Sequence, residues 1–243
     1  MKALPLLACL LAASGQLFAA DAGPKDELKA AAKALGDKPN YSWKSNVENA
    51  GGGGGGGGGG RMGGPTEGKT EKDGVTHLSM TRGENTIVAV LKGGKSAIKT
   101  ADGWLNAEDA AADQDRQNPA RFVARTVQNY KTPAVQAADL AEQAKELKKD
   151  GDAVAGDLTE AGAKSLLSFG GRGGGNGPEI SGAKGSVKFW VKDGVLAKYQ
   201  FKVQGTMSFN GNDREVDRTT TVEIKDVGTT KIEVPEDAKK KLQ

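Results

Sequence analysis

The sequence is poor in the side chains that most often do chemistry. It holds one cysteine, Cys9, and one histidine, His77. Cys9 falls inside an apolar leader, so the mature chain is expected to have no disulfide, no thiol nucleophile and no cysteine metal ligand. A lone histidine builds no histidine-rich metal site, and without thiolates no zinc cage is expected. No G-x-S-x-G elbow occurs, and His77 sits on the polar phase of its strand, out of phase with Leu78 and Met80. Catalytic residues, metals and cofactors are therefore all expected to be none, and the chain is not read as an enzyme. Aromatics are scarce at 5 %, so the core must be modest. The net charge of +3 comes from well-mixed acids and bases, which points to neither nucleic acid nor an acidic membrane.

What is present begins with an address. Lys2 precedes an apolar stretch from Ala3 to Leu17, and small residues follow at Ala19, Ala20 and Ala22. This is the pattern of a Sec-type secretory signal over residues 1–22, with cleavage near Ala20 to Ala22. The apolar run is too short to be a membrane span, so no transmembrane segment is expected in the mature chain. A periplasmic or secreted location follows. Leu6-Leu7-Ala8-Cys9 resembles a lipoprotein cleavage box, but it comes very early and the apolar run continues past it.

Residues 23–243 read as a single domain. Residues 26–36 form a short helix, acidic at its start and closed by Gly36. Tyr41, Trp43 and Val47 alternate with polar residues as a strand does. Ten glycines, Gly51 to Gly60, then predict a disordered loop over 51–65 between two strands; a second predicted loop covers 170–178. Strands are expected at 76–80, 86–91 and 95–100, joined by glycine turns. Asn118-Pro119 and Thr132-Pro133 each pair an N-cap with proline at the first helical position. Phe122, Val123, Val127 and Tyr130 follow on one helical face, and Val135, Leu140, Ala144 and Leu147 on another, ending at Lys148-Lys149 and Gly151. Thr159 opens a shorter helix.

Near the C-terminus Val187, Phe189, Val191, Val195, Ala197, Tyr199, Phe201 and Val203 all fall on odd positions. A three-residue loop through Lys192-Asp193-Gly194, with Gly194 as a bulge, would keep them on one face, pairing Val191 with Val195 and Phe189 with Ala197. Val216, Val222 and Ile224 give another strand, and Thr230 to Val234 a last one with Ile232 and Val234 inward. The fold class is α+β: a curved antiparallel β-sheet of about eight strands, an open half-barrel, with helices covering its concave apolar face.

Two motifs look functional and lack the context. Gly63-Gly64-Pro65-Thr66-Glu67-Gly68-Lys69-Thr70 matches the phosphate-loop pattern, but a glycine run precedes it and a turn follows, so no nucleotide is expected. The glycines around Arg61 and Arg172 resemble RNA-binding boxes with too few arginines, so no nucleic acid is expected either. Trp43, Phe189, Tyr199 and Phe201 share the apolar phase and are the candidate ligand-binding residues, or else plain core. Trp190 points to the polar side.

The order of elements carries a resemblance. An N-terminal helix, hairpins with Lys92-Gly93-Gly94-Lys95 and Asp102-Gly103-Trp104, a helical middle, and a meander with Trp190-Val191-Lys192-Asp193-Gly194-Val195-Leu196 together resemble the bacterial lipoprotein-carrier superfamily. That group includes periplasmic lipoprotein chaperones, their outer-membrane receptors and mycobacterial lipid-carrying lipoproteins. The resemblance implies a half-closed barrel with a helical lid over an apolar cavity, and a lipid or lipoprotein as partner. It implies an exported, non-enzymatic binding protein holding an acyl chain or lipidated partner between sheet and helices. The alternative is a structural or assembly protein of the cell envelope, with a fully packed core and no ligand.

Overall fold

Caps and turns set most element boundaries in the computed structural model, which describes residues 23–50, 64–82, 85–112, 118–168, 178–209 and 211–243. The expected leader 1–22, Cys9 within it, and all but the last residues of the two expected glycine loops lie outside the described residues. The chain opens with helix α1 (Pro24–Gly36) and strand β1 (Asn40–Asn49). A meander follows: β2 (Thr66–Glu71), β3 (Thr76–Arg82), β4 (Asn85–Lys92), β5 (Lys95–Thr100) and β6 (Gly103–Asn106). The helical middle is α2 (Ala107–Ala112), α3 (Pro119–Gln128) and α4 (Pro133–Gln143). A second meander holds β7 (Lys148–Asp150), β8 (Ala153–Asp157), helix α5 (Glu160–Leu167), β9 (Glu179–Lys192), β10 (Val195–Phe209) and β11 (Asn212–Lys225). Helix α6 (Glu236–Lys241) comes last.

The caps sit where the sequence puts them. The Asn118 side chain accepts from the Ala120 N–H at 2.9 Å, Thr132 from Val135 at 3.5 Å and Thr159 from Gly162 at 3.0 Å. Each satisfies one N–H that the first helical turn leaves without a partner.

All strands join one open antiparallel sheet in the order β6-β5-β4-β3-β2-β1-β11-β10-β9-β8-β7. It has eleven strands among the described residues, more than the periodicity alone indicates. The two meanders meet at β1 and β11, paired from Ser42–Lys225 to Asn49–Arg218. That pairing leaves β6 at one edge of the sheet and β7 at the other. The segment between them, α2 to α4, must therefore cross the sheet, and it does so over the concave apolar face. Helix α1 packs on α4 and on β10, while α5 packs on β9 and β10. One contiguous apolar cluster runs from Ile98 on β5 to Phe189 on β9 beneath these helices. Among the described residues no helix is long and apolar enough to cross a membrane.

Five local expectations need correcting. The phosphate-loop look-alike is half strand: Thr66 to Thr70 form β2 in mid-sheet, between β1 and β3. The helix expected to reach Lys149 ends at Gln143. There the backbone turns to pair with the chain beyond β8, through Lys145 N–H to Asp157 O at 2.8 Å and Thr159 N–H to Gln143 O at 2.8 Å. Lys148–Asp157 is then a hairpin, β7 and β8, with Gly151 at positive φ.

The loop at 192–195 has two central residues, not three. Asp193 and Gly194 have φ of 53° and 74°, and Val195 pairs with Lys192. A bulge at Ala197 then restores the phase, so Tyr199 faces Phe189. Leu196 is consequently buried at 1 % exposure and Val191 is left 40 % exposed, the reverse of the parity expectation. Finally, Thr230 to Val234 forms no strand. Ile232 and Val234 pack with Val75, Val90, Ala97 and Ala238 of α6. Val90 and Ala97 alternate with Ala89 and Ile98 of the main core, so this small cluster lies on the opposite face of the sheet. One helix therefore covers the convex side.

Gly68 shows how tightly the centre of the sheet is built. It pairs with Trp43 across β1 and β2, and the indole lies flat over it. A Cβ at Gly68 would stand 2.2 Å from Trp43 Cζ2. Gly68→Ala is expected to lower stability by roughly 1–3 kcal/mol through overpacking. Urea denaturation checks this: the midpoint should fall with the slope unchanged.

Candidate functional site

The concave face has an aromatic floor and a small-residue lid. The four candidate residues all point to this interior: Trp43 from β1, Phe189 from β9, and Tyr199 and Phe201 from β10. Their exposures lie between 1 % and 6 %. Phe189 and Tyr199 are cross-strand partners and stack at 6.4 Å between centroids. Phe201 pairs across to Val187 in the next pair toward the β9 N-terminus. Trp43 stands apart, two strands away across β11. It stacks on Tyr130, just beyond α3, at 6.1 Å and 18°. The floor thus has two aromatic nodes, and each already packs against neighbours.

The lid side is different. Buried positions of the lid include Ala31 and Ala32 of α1, Ala120 and Ala124 of α3, and Ala134, Ala137 and Ala141 of α4. Leu28, Leu35, Val123, Val127 and Leu140 are buried among them, and α4 packs chiefly on α1. A methyl buries far less apolar surface than the roughly 1.5–3 kcal/mol worth of a full leucine or phenylalanine side chain. Where the lid meets the floor through alanine, each contact is individually weak.

Polar groups are gathered under this lid, and parity reasoning alone did not find them. The chain has three tyrosines, Tyr41, Tyr130 and Tyr199, and all three converge here. On β1, β2 and β3, Tyr41, Thr70 and Thr76 lie in one cross-strand row. Trp43 Nε1 donates to Thr70 Oγ1 at 3.3 Å, and Thr76 Oγ1 donates to Thr70 Oγ1 at 3.4 Å. Tyr199 Oη donates to Gln136 Oε1 on α4 at 2.6 Å. The hydroxyls of Tyr41 and Tyr130 are buried without a well-formed hydrogen bond, although Thr70 lies beside both and Thr132 and the Ala134 backbone also act on Tyr41. Burial pushes the pKa of all three phenols up, most strongly for Tyr130 and Tyr199. The sequence signal was the Tyr41-x-Trp43 spacing and the lone Tyr130 at a helix end; nothing local joined them.

The opposite face is polar. Trp190 lies there as expected, with the ammonium groups of Lys188 and Lys198 at 5.5 and 5.0 Å from its ring centre. An open depression of about 620 Å3 on this side is lined by Lys145, Lys149, Lys188 and Lys202 among others. Acids offset several of its cations: Lys188 pairs with Asp150 at 2.8 Å and Lys202 with Asp217 at 3.2 Å. His77 pairs with Lys69 and Val90 in the register; burial first, and Lys69 second, hold its pKa below the usual imidazole value. Lys69, the lysine of the phosphate-loop look-alike, donates to the Lys231 carbonyl at 3.2 Å.

No protein family model matches the chain, and no curated protein matches it. Among solved structures, it is similar to the Mycobacterium tuberculosis lipoprotein LppX at 10 % identity and a TM-score of 0.48, over 86 % of this chain and 96 % of that one. It is also similar to LprF from Mycobacterium bovis at 11 % identity and a TM-score of 0.41, over 88 % of this chain and 96 % of that one.

The raised phenol pKa values carry a pH dependence. Unfolded tyrosines ionise near about pH 10, while the folded ones hold their protons higher. Their stabilisation is therefore complete below about pH 10 and is lost as pH rises toward the folded values. Thermal melts are expected to show Tm falling above that pH, with tyrosinate absorbance appearing together with unfolding. Tyrosinate absorbance at the free-phenol pH in a still-folded protein would contradict this.

Proposed function

We propose that this chain is an exported, non-enzymatic binding protein, one domain over residues 23–243 once a leader of 22 residues is removed. It holds an acyl chain or a lipidated partner between the aromatic floor and the helical lid. The observation that carries this reading is the mismatch between the two layers. A floor carrying Trp43, Phe189, Tyr199 and Phe201 is crossed from edge to edge by a segment without a buried aromatic helix residue among those described, whose helices place alanines beside Leu140, Val123 and Val127. Such a lid is tied at both edges of the sheet and loosely held in between. An apolar chain sliding under it exchanges weak alanine contacts for continuous burial, at about 25 cal/mol per Å2 removed from water. The described state is the closed one. Trp43, Phe189, Tyr199 and Phe201 are the residues a cargo chain would touch once the lid lifts.

One observation favours a second reading. The floor aromatics already have partners, Tyr130 for Trp43 and Tyr199 for Phe189. A cell-envelope assembly protein with a permanently packed core needs nothing more.

Two measurements separate the readings. Protein recovered from its native envelope is examined by native mass spectrometry, and delipidated protein is titrated with a fluorescent acyl probe while hydrogen exchange is followed. Carriage predicts a recovered amphiphile. It also predicts amides of α3 and α4 exchanging at least about tenfold faster than those of β9 to β11, and slowing when the probe binds. Absence of both ligand and probe uptake, with lid and sheet equally protected, establishes the packed-core reading.

A further inference from the structure

We infer that the convergence of Tyr41, Tyr130 and Trp43 with Thr70 under the α3–α4 segment is a hydrogen-bonding site for the neutral polar end of the cargo, an ester or similar carbonyl. The inference rests on the carrier reading, which supplies the apolar part of the ligand.

Tyr41 is 2 % exposed, and its hydroxyl has no well-formed hydrogen bond, although Thr70, Thr132 and the Ala134 backbone stand close enough to act on it. The Tyr130 hydroxyl is in the same condition and acts electrostatically on Tyr41's. A buried hydroxyl left unpaired is costly, and native interiors rarely keep two together. Both rings are fixed: Tyr130 is stacked on Trp43, and Tyr41 is set in the row with Thr70 and Thr76 by the pairing of β1, β2 and β3. The hydroxyls are thus preorganised donors, and Thr70 is the common neighbour of Tyr41, Tyr130 and Trp43. By contrast Tyr199, in the same cluster, has its partner in Gln136.

The chemistry of the ligand follows from what the cluster contains. Its members are phenols, threonines, an indole and an amide, and among the described residues no lysine or arginine acts on any of the three phenols. A phosphate or free carboxylate would lose its hydration with no cation to replace it, which is prohibitive in so buried a place. A carbonyl oxygen needs only donors, and two phenols supply them. Its alkyl continuation would then lie along the aromatic floor toward Phe189 and Phe201.

The test uses the mature protein, delipidated, with three pyrene-tagged probes of equal length: an alkane, a methyl ester and a carboxylate. The expected result is that the native protein prefers the ester over the alkane by about tenfold, the worth of one to two neutral hydrogen bonds. The ester-to-alkane ratio should fall close to one in Y41F/Y130F, with folding verified by its melting curve. Should the double variant unfold, Y41F alone is read the same way, with the ratio falling about threefold. A folded double variant that keeps the preference, or a native protein that binds alkane and ester equally, overturns the inference and leaves the carrier reading standing. Preference for the carboxylate over the ester overturns the neutral-acceptor assignment. Uptake of none of the three probes overturns the carrier reading, and this inference falls with it.

Discussion

The pairing of β1 with β11 is the constraint on which the rest of the structure depends. Eight residues of β1 align with eight of β11, from Ser42–Lys225 to Asn49–Arg218, and weld two consecutive meanders into one sheet. Each meander pairs strands that are consecutive in the chain, and each alone would present one bare apolar face. Once the meanders are joined, the two strands flanking the helical middle lie at opposite edges. The middle segment has no choice but to span the sheet. Its position over the concave face is therefore a consequence of strand order rather than of any single strong contact between helix and sheet.

That geometry sets the energetic character of the interior. The floor is rigid because its large side chains are held by a long antiparallel ladder and by close packing, as at Trp43 over Gly68. The lid is made of short helices whose inward positions mix alanines with Leu28, Leu35, Val123, Val127 and Leu140. Hydroxyls from both layers meet in this interface: Gln136 accepts from Tyr199, Thr70 accepts from the Trp43 indole, and Tyr41 and Tyr130 make no well-formed hydrogen bond. On the carrier reading, this interior would receive a molecule with a long apolar body and a neutral polar end.

Much of this was legible in local patterns, and the failures are instructive. Asn118, Thr132 and Thr159 cap their helices because a side chain three residues or fewer from the N–H it meets needs no help from the rest of the fold. The odd-position run from Val187 to Val203 correctly put Phe189, Tyr199 and Phe201 on one face. The loop between Lys192 and Val195 was misjudged because phase can be kept in two ways, by a longer turn or by a bulge one strand later, and the chain uses the bulge at Ala197. β2 escaped notice because Gly68 and Lys69 look like a phosphate loop; only the indole across the sheet explains a glycine in mid-strand. Residues 230–234 alternate like a strand, but they find a small convex-face cluster with α6 instead of a ladder.

From the sequence alone came the helical caps, several of the hairpins, much of the apolar phase and the poverty of catalytic side chains. These depend on interactions within a few residues, where spacing carries nearly all the information. Tertiary structure alone decided which strands are neighbours, that the helical segment runs from one edge to the other, and that residues 41, 130 and 199 bring their hydroxyls together. Those depend on contacts between residues tens of positions apart. Periodicity tells a side chain which way to face; it is silent about what it will face there.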